Sequence, residues 1–136
     1  MSERPDDAIL SAEAWLDYAE NDLAMAARGL QPPPITELVC YHAEQAAEKA
    51  LKAYLAWLSD QRIPHSHKLH ELSALIVTRG GTEAPRAPLA ILEDYAVEVR
   101  YPEVPWPSLA EAERALELAR DVVAWVRQMV GLEEKS

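Results

Sequence analysis

Between Ser108 and Gly131 the apolar residues recur at steps of three and four: Leu109, Ala112, Leu116, Ala119, Val123, Val126 and Val130. That spacing gathers on one face of a helix and cannot gather on one face of a strand. Ser108-Leu109-Ala110-Glu111 has the form of a capping box, in which serine and glutamate side chains each satisfy the other's free backbone N–H, and Gly131 supplies a stop. An amphipathic helix of this length needs other apolar helix faces to bury its stripe, so the segment dictates a helical partner set.

The rest of the chain provides it. Trp15, Ala19, Leu23, Ala26 and Leu30 form a second stripe, started by Ser11 and stopped by Gly29 with Pro32-Pro33-Pro34 beyond. A third helix is predicted from near Thr36 to about Ser59, striped by Val39, Ala43, Ala46, Ala50, Tyr54 and Trp57 and broadened by Ala47, Leu51, Leu55 and Leu58. Its alanines permit close approach by neighbours, and Glu48–Lys52 is a well-oriented i,i+4 pair. Two short helices follow. One carries Leu69, Leu72 and Ile76 and ends at Gly80-Gly81; the other runs from about Pro88 to Val99 with Leu89, Leu92, Ala96 and Val99. Pro102, Pro105 and Pro107 then impose an extended connection. No stretch alternates with period two. The expectation is an all-α, antiparallel up-and-down bundle of four to five helices in one domain over residues 1–136, with 1–10 and 132–136 as tails.

Composition narrows the function classes. The chain has 136 residues, a size suited to one core. No run approaches the ~20 apolar residues that span a bilayer, and the opening Met1 to Asp7 lacks the apolar stretch of a signal peptide. Cys40 is the single cysteine, so no internal disulfide exists. A cytoplasmic protein without a membrane role is expected. The formal net charge of −10 argues against general affinity for polyanions. Yet from Lys49 to His70 the only acid is Asp60, against Lys49, Lys52, Arg62 and Lys68, with His65, His67 and His70 besides.

Several chemistries find no residues to carry them. There is no GxSxG elbow, phosphate loop or GxGxxG. Cys40 reads as a small buried hydrophobe. His65, His67 and His70 have spacings that can hold a metal, but no carboxylate lies between them and Lys68 would repel a cation, so no metal and no cofactor are expected. The same cluster at the start of a helix suits phosphate better. Glu44 and Glu48, one turn apart, read as a wet helix face, as do Glu113 and Glu117. Arg100, where a helix ends at Tyr101-Pro102, either caps the last carbonyls or clamps a phosphate, with Tyr101 or Trp106 stacking on a base.

The combination resembles the HEPN domain family. It is carried by Trp15 to Leu23, by Tyr41-His42-Ala43-Glu44-Gln45-Ala46-Ala47-Glu48-Lys49-Ala50-Leu51-Lys52-Ala53-Tyr54-Leu55, by Pro64-His65-Ser66-His67-Lys68-Leu69, and by Tyr95 to Pro102. The resemblance implies a bundle of four to five helices, often dimeric, and a minimal nucleotidyltransferase as partner in toxin–antitoxin pairs. Many members are metal-independent ribonucleases that carry Arg, four to six residues, then His. After Arg100 those positions hold Pro105, Trp106 and Pro107; Arg62 and His67 have the spacing, but with Pro64 between them and outside the family's usual place. The chain is similar to the branch lacking that motif. It is expected to be a nucleotide- or RNA-binding module with Lys49, Lys52, His67, Lys68, Arg100 and Tyr101 at the phosphates and no catalytic residue. The alternatives are a ribonuclease using Arg62 or Arg100 with His67, and a purely structural protein. Trp57, Tyr101 and Trp106, large aromatics near helix ends, point to a homodimer.

Overall fold

A computed structural model describes residues 11–59, 62–66, 68–96 and 105–133. They form five α-helices: α1 (Ala12–Gly29), α2 (Thr36–Leu58), α3 (Leu69–Thr78), α4 (Arg86–Glu93) and α5 (Leu109–Val130). A 3-10 turn, Asp94–Ala96, follows α4. The expected all-α bundle is the observed fold. Among the described residues there is no strand, and no helix is long and apolar enough to cross a membrane.

The helix ends follow from local chemistry. Ser11 Oγ accepts from the Ala14 N–H at 3.1 Å. Ser108 Oγ accepts from the Glu111 N–H at 3.0 Å while Glu111 Oε1 accepts from the Ser108 N–H at 3.0 Å, completing the capping box. These bonds hold the Glu111 carboxyl below its ordinary range. At the other end of α5, Gly131 takes φ +73° and the Leu132 N–H reaches back to the Arg127 carbonyl.

α2 is the centre. Ala43, Ala46, Ala47, Ala50 and Ala53 are fully buried, with Val39, Leu51 and Leu55 beside them, and α1, α3, α4 and α5 all pack on this helix. Short side chains bring the backbones together: a Cβ built on Gly29 would stand 2.7 Å from a methyl of Val39. Asp22 reaches both His42 and Lys49, and Trp15 meets Lys52, so α1 and α2 run antiparallel. The α5 stripe closes the core with Ala112, Leu116, Ala119, Val123, Val126 and Val130.

Three expectations need correction. Leu109 is 47% exposed and Trp57 53% exposed, because each lies in the terminal turn of its helix and projects past its neighbours. The fourth helix starts two residues before Pro88, which sits in the first turn without costing a hydrogen bond. Its α-helical part stops at Glu93 and tightens into the 3-10 turn; Val99 lies outside the described residues.

The capping box gives the first prediction. Ser108→Ala should lower stability by about 1 kcal/mol, the usual worth of an N-cap. A denaturant titration measures it, and an unchanged midpoint would show that the cap does not set the start of α5.

Candidate functional site

Two polar regions emerge from this packing, one internal and one at a corner. The internal one is a seam on α2. Asp22, on the buried face of α1 between Ala19 and Ala26, accepts from His42 Nδ1 at 2.8 Å and from Lys49 Nζ. Facing a carboxylate, His42 Nδ1 is the donor of this bond. One turn further on, Lys52 Nζ donates to Glu48 Oε2 at 3.0 Å and lies 5.5 Å from the centre of the Trp15 ring. Lys52 and Glu48 are both buried, so this i,i+4 pair is a core element whose halves depend on each other.

Glu44 is fully buried and lacks a cation. Gln45 Nε2 donates to its Oε2 at 2.9 Å, while Oε1 has no hydrogen-bond partner. Burial pushes the carboxyl up to about 7; the Gln45 bond opposes this, and the charges of Glu48, Glu93 and Asp22 add to the rise. The expected wet face of Glu44 and Glu48 is therefore wrong. Their side of α2 faces the bundle, because a helix covered by four neighbours has little wet face left. The missed signal was position: Glu44 and Glu48 flank Ala46 and Ala47 inside the broadened stripe.

The corner lies where α2 gives way to α3. Residues 62–66 form an irregular segment. Ser66 Oγ accepts from the Lys68 N–H at 3.3 Å and pairs with Glu71, and the Arg62 carbonyl accepts from Arg79 Nη2 at 3.0 Å. Arg79 is placed by the end of α3: Gly80 takes φ +90°, its N–H bonds the Val77 carbonyl, and the Gly81 N–H bonds the Ile76 carbonyl. Such a left-handed glycine turns the chain back sharply, leaving the preceding side chain at the corner. Arg62, His65 and Lys68 are exposed there. Arg62, Ile63, Pro64, His65, Leu75 and Arg79 line a cleft of about 480 Å³. The first turn of α3 is tied to α4, since Glu93 accepts from the His70 N–H at 3.1 Å and from His70 Nδ1 at 2.8 Å. Partial burial would raise the Glu93 carboxyl, but these His70 bonds outweigh it and hold the group below its ordinary range.

The residues expected at phosphate are divided by this geometry. Lys49 and Lys52 are engaged by Asp22 and Glu48 in the seam, Lys52 the more deeply buried of the two. Lys68, the N-cap of α3, is exposed. His67, Arg100 and Tyr101 lie outside the described residues. Asp22, His42 and Arg79 were not anticipated. Asp22 lay on the period of the α1 stripe, three residues from Ala19 and four from Ala26; Arg79 had only the following Gly80-Gly81 to mark it as a corner residue.

A model of the HEPN domain family matches residues 12–129, and the chain belongs to that family. Among solved structures, the crystal structure of ST0689, an archaeal HEPN homologue, is similar with a TM-score of 0.68 and 22% sequence identity, over 89% of this chain and 98% of that one. At that identity the likeness speaks for the fold. No curated protein matches in sequence.

Glu44 generates the second prediction. Its value in the fold lies above the ordinary 4.5, so the fold favours the neutral acid. Stability from that preference is complete below the ordinary value and is lost as pH rises towards about 7. Glu44→Gln keeps the shape without the charge, and should raise stability above neutral pH by up to about 3 kcal/mol while changing little near pH 4. Thermal melts across that range measure it; an equal effect at both ends would remove Glu44 ionisation as the cause.

Proposed function

We propose that this HEPN-domain protein is a binding module for nucleotide or RNA phosphate, acting beside a minimal nucleotidyltransferase and as a homodimer. The observation that carries the binding reading is the distribution of positive charge. The lysines within the bundle are engaged by Asp22 and Glu48, and His65 and Lys68 stand exposed together beside Arg62 at the α2–α3 corner. An anion approaching an otherwise acidic protein meets its attraction there, next to the N-terminus of α3. Arg100 and Tyr101 add a guanidinium fork and a stacking ring on the sequence reading, with His67 beside Lys68. The partner is supported by the family, whose members pair with such enzymes. Exposed Trp57 and Trp106, the latter 66% accessible, support the dimer.

Calorimetric titration of the whole chain with a mononucleotide and a short RNA at low ionic strength tests the reading. Binding should fall as salt rises. Lys68→Ala should weaken it about tenfold, the scale of one charge-assisted phosphate contact, and leave the melting temperature unchanged because the side chain is exposed. Arg100→Lys should also weaken it, since an ammonium lacks the planar fork. A protein that binds neither ligand, alone or with its partner enzyme, is not a phosphate-binding module.

A further inference from the structure

A second cleft, of about 390 Å³, opens between α3 and α4 and begins at His70, two residues after Lys68. Exposed Ala74, Val77 and Ala90 form its walls and buried Leu89 its floor. The charged groups along it are already engaged, Arg86 with Glu83 and His70 with Glu93. Ser73 is different. It is only 7% exposed, it lines the cleft, and its hydroxyl makes no hydrogen bond among the described residues. Unlike the Nε and Nη1 atoms of Arg79, this oxygen is not closed off from solvent. A hydroxyl both donates and accepts, so it can answer either kind of group on an entering molecule. His70 supplies a ring of fixed orientation. Both oxygens of Glu93 accept from its Nδ1, at 2.8 and 2.9 Å, and Oε1 accepts from its backbone N–H, while the side chain stays 66% exposed on the rim. The larger cleft between α1 and α5, about 560 Å³, has neither feature: its polar lining is Glu20, Arg120, Arg127 and Glu133, all charged.

We infer that the α3–α4 cleft is a subsite for a nucleobase, with the His70 ring as stacking platform and the Ser73 hydroxyl as the group that meets the base edge. The inference rests on the nucleotide-binding reading for its class of ligand, and it locates the base apart from the phosphate. A nucleobase is uncharged at neutral pH, flat, and edged by donors and acceptors. Imidazole is among the rings on which unstacked bases settle, and one held by a carboxylate loses little further freedom when a base covers it. The aliphatic walls receive the other face, and the volume suits a ligand of this size. An anion gains little here, because the Glu83 and Glu93 carboxylates offset Arg86 and His70. The same balance leaves a neutral ring without electrostatic penalty.

The test titrates the isotope-labelled full chain with adenosine and with uridine, which carry no phosphate, and follows the backbone amide resonances. Shifts should concentrate on the cleft-lining residues of α3 and α4, and the affinity should not change with salt, because the ligand is neutral. Excess inorganic phosphate should not displace the nucleoside. Ala90→Trp fills the cleft from an exposed position and should abolish the shifts without lowering the melting temperature. Ser73→Ala should weaken binding about fivefold, the scale of one ordinary hydrogen bond; it creates no bulk and serves if the tryptophan variant does not fold. Lys68→Ala, which weakens phosphate binding, should leave nucleoside affinity unchanged. No shifts with either nucleoside, shifts confined to other helices, or undiminished binding by the folded Ala90 and Ser73 variants overturns the base subsite. Each of those results leaves the phosphate reading standing, since that reading is decided by salt dependence and by Lys68.

Discussion

The close approach of backbones to α2 is the constraint on which everything else rests. Five buried alanines leave that helix almost smooth on the sides that α1 and α5 occupy. Dispersion between near-touching surfaces then replaces the contribution that larger side chains would make. Asp22 can reach two residues of α2 only because the helices lie so near, and Gly29 lies against Val39 where a methyl group would collide. A smooth central helix also determines which polar groups are trapped. Glu44, Glu48 and Lys52 share the turns of those alanines, and they are enclosed with them.

Enclosure has opposite results for the three. Glu48 and Lys52 meet each other, so their charges survive burial as a pair. Glu44 has only a glutamine amide and nearby carboxylates, and favours its neutral form. The seam thereby engages the two lysines of α2, Lys49 with Asp22 and Lys52 with Glu48.

Helices and their ends were legible in the sequence because they depend on local chemistry. Ser11, Ser108 with Glu111, Gly80 and Gly131 act on their own neighbours within a turn or two, and the stripes of α1, α2, α3 and α5 report burial directly. The candidate site was less legible, since it depends on which faces meet. Glu44 differs from Glu113, which is exposed on α5, in lying inside the broadened stripe of α2, and that stripe is wide because so many helices surround α2. Lys49 and Lys52 drew attention as free positive charge because Asp22, the partner of Lys49, sits twenty-seven residues away in the chain. Arg79 became a site residue through the left-handed Gly80 and the returning 62–66 turn, a conjunction no spacing rule encodes.

Glu44 also changes what an unfolding experiment records. Near neutral pH the folded population is divided between molecules with and without its proton, whereas in an unfolded chain the same carboxyl has its ordinary value of 4.5 and is ionised. Unfolding therefore releases on the order of half a proton per molecule. The buffer takes up that proton, and its heat of protonation enters the measured enthalpy. Two calorimetric scans of this protein at one pH, in phosphate and in an amine buffer, would therefore return different heats for the same structural event.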